Sequence, residues 1–139
     1  MTRLIVCLIC VINISNWTEQ GAFATTFLDV HRARGEGMRQ IYNQPLGVVW
    51  KAALFSISAS GAKIASENQA EGYILAERPF ATFRRGEKFG IFINKISDSI
   101  TSAEIVSKVT TTNLFSDIFA HDWKREIHNK ISDVLGTNS

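Results

Sequence analysis

The sequence predicts an α+β domain in which two amphipathic helices cover one face of an antiparallel sheet. Three observations carry this. Apolar residues recur at helical spacing in two stretches, 46–57 and 119–134, and at alternating spacing over residues 62–112 between them. The links between the alternating runs are too short to hold crossover helices, so successive strands run antiparallel. Helices with one apolar side need an apolar surface to cover, and the strands are the surface on offer.

The chain starts with a segment of different character. After Arg3, Leu4 to Ile14 is an almost unbroken apolar run, shorter than the roughly 20 residues needed to cross a bilayer. A polar stretch from Ser15 to Gln20 and the small-x-small site Ala22-Phe23-Ala24 follow. This is the pattern of a signal peptide over 1–24, cleaved after Ala24; retention of the segment as an anchor is the alternative. Cleavage would remove Cys7 and Cys10 and leave no thiol, hence no disulfide, thiolate metal site or cysteine nucleophile. Neither cysteine follows the small residues that lipid attachment requires: Ile5-Val6 precede Cys7 and Leu8-Ile9 precede Cys10. The expected location is therefore periplasmic or secreted, without a lipid anchor. A hydrophobic share of 45% and a charged share of 20% describe an ordinary globular chain. A net charge of only +2 gives no electrostatic case for nucleic acid, which needs a clustered basic surface rather than a slight average excess.

Residues 25–37 are polar, carry His31, Arg32 and Arg34, and end in Gly35-Glu36-Gly37. They read as a flexible leader to a single domain spanning 38–136. Met38 to Tyr42 reads as a short first strand. In the first helix Asn43 is the expected cap and Pro45 falls in the first turn, where its missing N–H costs nothing. Leu46, Val49, Trp50, Ala53 and Ile57 form its apolar stripe, Ser56, Ser58 and Ser60 its polar face, and Gly61 ends it. Strands follow at 62–68, 73–77, 88–96 and 100–111, with turns at 68–72 and 97–99 and a Gly-containing hairpin loop at 84–87. Pro79 marks an edge or a break in its strand. Ser116 and Asp117 open the last helix; Phe119, Trp123, Ile127, Ile131 and Val134 line it, and Gly136 closes it. The order is β-α-β-β-β-β-α.

That order and its landmarks resemble the domain of BamC, the outer-membrane assembly lipoprotein, and related envelope proteins, a helix-grip arrangement. The matching features are Pro45 to Trp50, Gly61 to Ile64, Glu71 to Ile74, the strand from Phe89 to Ile93 and the closing amphipathic helix. The resemblance spans about residues 38 to 135 and implies a partner among envelope proteins.

Chemistry-bearing constellations are sparse. His31, His121 and His128 have no nucleophile at a telling spacing. Asp117, His121 and His128 are the best metal candidates, but zinc needs three or four converging ligands, and a solvated polar face accounts for them better. Glu67, Glu71, Glu77, Glu104 and Glu126 lie singly, as solvent-facing carboxylates do, and Gly35-x-Gly37 follows no strand that would make it a phosphate cradle. No catalytic residue, metal or cofactor is expected. Arg84-Arg85-Gly86-Glu87-Lys88 is the clearest polar cluster, flanked by Phe80, Phe83 and Phe89. Several strands carry apolar residues at both parities: Phe89, Ile91 and Ile93, yet also Phe92 and Ile96; Ile105 and Val109, yet also Val106. A half-solvated sheet alternates more cleanly. Either the leader covers the second face, or another protein or a membrane surface does. The expectation is a non-enzymatic exported interaction or assembly-accessory module, with Arg84, Arg85 and Phe92 as partner-binding residues. The alternative is a small apolar-ligand binder holding its guest between sheet and helices. The sequence sets no oligomeric state.

Overall fold

In the computed structural model, which describes residues 26–78, 87–108 and 116–136 (side chains of the last stretch from Trp123 onward), five strands form one antiparallel sheet. The elements in chain order are α1 (Phe27–Arg32), β1 (Met38–Tyr42), α2 (Leu46–Ala59), β2 (Lys63–Asn68), β3 (Tyr73–Arg78), β4 (Glu87–Lys95), β5 (Thr101–Lys108) and α3 (Ser116–Leu135). Every strand read from the alternating pattern is present, and the fold is α+β as expected. Across the sheet the order is β1-β5-β4-β3-β2. β2, β3, β4 and β5 form a meander. β1 pairs with the last strand, Met38 opposite Ile105 and Tyr42 opposite Thr101. α2 then carries the chain across to the far edge. There β2 is exposed along nearly its whole length and bulges between Ile64 and Ser66.

α2 starts two residues later than its sequence signals imply. Pro45 holds the N-cap position, and its carbonyl accepts from the N–H groups of Val48 and Val49; no side chain caps the helix, so Asn43 does not. Gly61 follows the helix at φ +78°, a conformation in which other residues are strained. Ser56 is not on a polar face. It falls in line with Val49, Ala53 and Ile57, is fully buried, and donates its hydroxyl to the Ala52 carbonyl at 2.8 Å. On α3, Trp123, Ile127 and Ile131 are buried. A further four-residue step leads to Leu135, which packs on the core, while Val134 stays 47% exposed.

α2 and α3 contribute to one core cluster with Ile74, Ala76, Phe89, Ile91, Ile93, Ala103 and Ile105, so both helices lie over the same face. Trp50 and Trp123 are both in it, and the Trp123 ring meets Phe89 edge-on at 4.9 Å between centroids.

The other face explains the mixed parity of the strands. Residues 26–37 are not a flexible leader. Thr26-x-x-Asp29 forms a capping box: the Asp29 N–H donates to Thr26 Oγ1, and the Thr26 N–H donates back to Asp29 Oδ2. The six-residue helix so started seats Val30 and Ala33 on Leu75, Phe92 and Val106, with Phe27 and Tyr73 at the margin. Gly90 makes room for it, since a Cβ there would come within 3.1 Å of both Val30 and Leu75. The domain thus begins at α1, and three helices, not two, pack on the sheet.

Candidate functional site

The groups best suited to chemistry are used for structure. His128 is not on a solvated face: it is 1% exposed, because α3 turns it toward β1 beside the stripe that holds Ile127 and Ile131. Its Nε2 lies 3.1 Å from the Met38 carbonyl and its Nδ1 lies 2.7 Å from the Tyr42 hydroxyl. A carbonyl only accepts, so Nε2 carries the hydrogen and Nδ1 accepts from the tyrosine. Burial holds His128 below its ordinary value, with the Met38 carbonyl acting against it, and burial pushes the Tyr42 phenol far up. Both are therefore neutral, satisfied and out of reach of a substrate. They latch α3 to the edge strand, helped by Gln40 donating to Ser132 at 3.2 Å. The side chains of Asp117 and His121 lie outside the described residues. Among the described residues no three His, Cys, Asp or Glu side chains converge as a metal site would require.

Glu104 is likewise not a solvent-facing carboxylate. It is 2% exposed on the α1 face of β5, where its Oε1 accepts from the Gly35 N–H at 2.9 Å and the Gly37 N–H at 2.7 Å. The Gly-x-Gly pair is thus an anion cradle whose anion comes from its own chain. Gly37 has to be glycine, since a Cβ would fall 2.4 Å from the Ile105 carbonyl oxygen. Arg39 adds an ion pair to the other oxygen at 3.6 Å.

Phe92, expected to meet a partner, is fully buried beneath α1. His31 meets its ring edge-on and the Arg34 guanidinium lies 5.1 Å from the ring centroid, while Arg34 also bonds Asn94. With α1 seated, Phe92 offers no surface to another protein, and of the covers considered for this face the leader is the one present. Arg84 and Arg85 lie outside the described residues. At the base of their hairpin Glu87 is largely buried, 3.8 Å from Arg78, whose guanidinium stacks 5.0 Å above the Trp123 ring. Burial raises the Glu87 carboxyl, opposed by Ser107, Arg78, Lys124 and the Trp123 indole. Glu87 Oε1 and Trp123 Nε1 are both buried and neither closes a hydrogen bond.

The remaining candidate is an open apolar groove of about 400 Å³ between α2 and the C-terminal turn of α3. Ala52 and Leu135 line it along with Val48, Phe55 and Val134, and Gln44 and Lys51 supply its polar side chains. Phe55 is 61% exposed, Val134 47% and Val48 44%. Scattered single apolar residues on a surface need no explanation, whereas three large ones gathered around one depression make it the candidate contact surface. A sequence signal for it existed. Val48, Ala52 and Phe55 form a second apolar line on α2, beside the stripe that enters the core.

Compared with models of known protein families and with curated protein sequences, the chain matches none.

Proposed function

We propose that the chain is a non-catalytic module exported to the bacterial envelope, where it binds another protein through the groove between α2 and α3. The observation that carries this reading is the grouping of exposed Val48, Phe55 and Val134 around one open apolar depression. Elsewhere α2 and α3 close one side of the sheet and α1 closes much of the other, and the other exposed large apolar side chains, Leu28, Ile41, Ile64 and Ile96, lie outside the groove. The buried titratable groups support a binding role as well, since His128, Tyr42 and Glu104 spend their hydrogen-bonding capacity within the fold. The envelope location rests on the apolar run and Ala22-Phe23-Ala24 site, and on the likeness of residues 38 to 135 to the BamC helix-grip domain.

A small apolar ligand fits less well. The space between sheet and helices is occupied by Val49, Ala53, Ile57, Phe89, Ile91 and Ile131, all fully buried. The groove has the volume of a small-ligand site, which runs from about 300 to 1,000 Å³, but such sites enclose most of the ligand's surface and this one is open. An open apolar groove suits side chains presented by a folded partner.

A photo-crosslinking residue placed at position 55 in intact cells tests the reading, with position 67 on the exposed edge strand β2 as the control. Expected is a discrete protein adduct from 55 that is absent from 67. Equal labelling at both positions, or none at 55, would remove the groove as a binding surface.

A further inference from the structure

The sheet separates two apolar clusters that share no residue. The larger joins α2 and α3 to one face of the strands, and the smaller joins Val30 and Ala33 to Leu75, Phe92 and Val106 on the other. Lifting α1 off the sheet would therefore leave the main core and all four strand pairings with their own contacts.

Little holds α1 down. Between Thr26 and Glu36 only Val30 and Ala33 are buried. Six helical residues are too few to persist without tertiary packing. The polar ties are of kinds that water can replace. The Arg34–Asn94 bond and the Lys108–Glu36 ion pair at 3.2 Å are both exposed, and exposed pairs contribute little.

The way α1 is joined to β1 allows it to move alone. Gly37 is fixed, because its Cα sits against the Ile105 backbone and its N–H donates to Glu104 at 2.7 Å. Gly35, two residues earlier, has open space around it and a φ of +101°, where glycine moves without strain. A swing about Gly35 takes one donor from Glu104 and leaves it the Gly37 N–H and Arg39, 3.6 Å from its other oxygen. The cover leaves with α1, so the carboxylate meets water and is not stranded.

We propose that α1 is a displaceable strap, which swings about Gly35 as one unit while the rest of the domain stays folded, and which in lifting uncovers a continuous apolar strip of Tyr73, Leu75, Phe92 and Val106. The domain then has two folded states, one with Phe92 sealed and one with it open. The balance between them sets the conformational freedom regained by residues 26–36 against the burial of a few apolar side chains. The strap is independent of the groove between α2 and α3 and stands whether or not that groove binds a protein.

The test is native-state amide exchange of the purified wild-type protein in urea concentrations too low to unfold it. The Val30 and Ala33 N–H groups, bonded to the Thr26 and Asp29 carbonyls, report α1. Those of Ile91 and Ile93, in a strand paired on both sides, report the sheet. The α1 amides should exchange at least about 100-fold faster than the β4 amides, and with much weaker dependence on urea, because lifting α1 exposes less surface than unfolding does. Val30→Asp puts a charge beneath the closed strap and so favours the open state. This variant should keep cooperative melting and β4 protection, lose protection in α1, and bind the dye anilinonaphthalene sulfonate, which wild type leaves unbound. Equal exchange rates with equal urea dependence in α1 and β4 would show that α1 opens only when the whole domain unfolds, and would overturn the proposal. An unfolded Val30→Asp protein, or a folded one that binds no dye, would overturn it as well.

Discussion

Acidification should loosen this domain through His128. In the neutral form both ring nitrogens are satisfied, Nδ1 by the Tyr42 hydroxyl and Nε2–H by the Met38 carbonyl. A second proton must sit on Nδ1, pointing at the tyrosine oxygen 2.7 Å away. The tyrosine hydrogen would then have to turn elsewhere, to the His128 carbonyl at 3.4 Å or to the Ser132 hydroxyl. The ring is 1% exposed, and burial holds its pKa below the ordinary value of 6.5. The unfolded chain therefore takes up this proton at a higher pH than the folded one. Where the unfolded state binds more protons, stability rises with pH, so the contribution is complete above 6.5 and is lost as pH falls below it. From about pH 7.5 to about pH 5.5 the loss is at most about 1.4 kcal/mol, a tenfold fall in the folded-to-unfolded ratio, if the folded ring stays neutral throughout. The assay is urea denaturation followed by tryptophan fluorescence at both pH values, for wild type and His128→Gln, whose carboxamide can still donate to Met38 and accept from Tyr42. The comparison cancels other titrations, including that of Glu87, whose raised pKa gives the opposite sign: stability lost as pH rises above 4.5. Wild type should lose stability on acidification relative to the variant. Equal pH dependence in the two, or a wild type that gains more than the variant on acidification, would refute the reasoning.

Other outcomes follow from particular contacts. Trp50→Ala and Trp123→Ala each empty a 5%-exposed site in the main core and should cost about 3–5 kcal/mol in the same urea assay; a cost under about 1 kcal/mol at either would show that face to be wrongly placed. Glu104→Ala strips the acceptor from the Gly35 and Gly37 N–H groups and should cost about 1–3 kcal/mol. Amide exchange at Val30 and Ala33 should speed up with it, and unchanged protection there would show that the glycine cradle does not hold α1 in place. Export with cleavage after Ala24 predicts that the purified native protein begins Thr25-Thr26-Phe27, one residue before the cap of α1; a sequence beginning at Met1 would contradict it.

Much of the sheet and both long helices were legible because their signals are local. Val49, Ala53 and Ile57 repeat within one helix, and Phe89, Ile91 and Ile93 alternate within one strand, so each face can be read without knowing what it touches. The same reading misjudged residues whose roles depend on distant partners. Glu104 looked like a surface carboxylate because nothing beside it shows that Gly35 and Gly37 will arrive to bind it. His128 looked solvated because its position on α3 is inward only with β1 alongside. The leader was missed for a different reason: six helical residues make a weak periodic signal, and only the Thr26-x-x-Asp29 capping box announces them. The groove was passed over because one apolar stripe on α2 was enough to explain the helix, and Val48 and Phe55 belong to another.

By itself, then, the sequence determined the antiparallel order of β2 to β5, the turns at Gly61, Gly72 and Gly136, each at positive φ, and the stripes that bury Trp50 and Trp123. Those features arise from backbone preference and side-chain period over a few residues. Only the tertiary structure decided that β1 closes on β5, that α1 seals the second face over Phe92, and that Glu104 and His128 find partners 67 to 90 positions away. Such pairings are selected by burial: an apolar face left bare or a carboxylate left unbonded costs more than closing the loop that covers it, and no local pattern records which distant segment will do so.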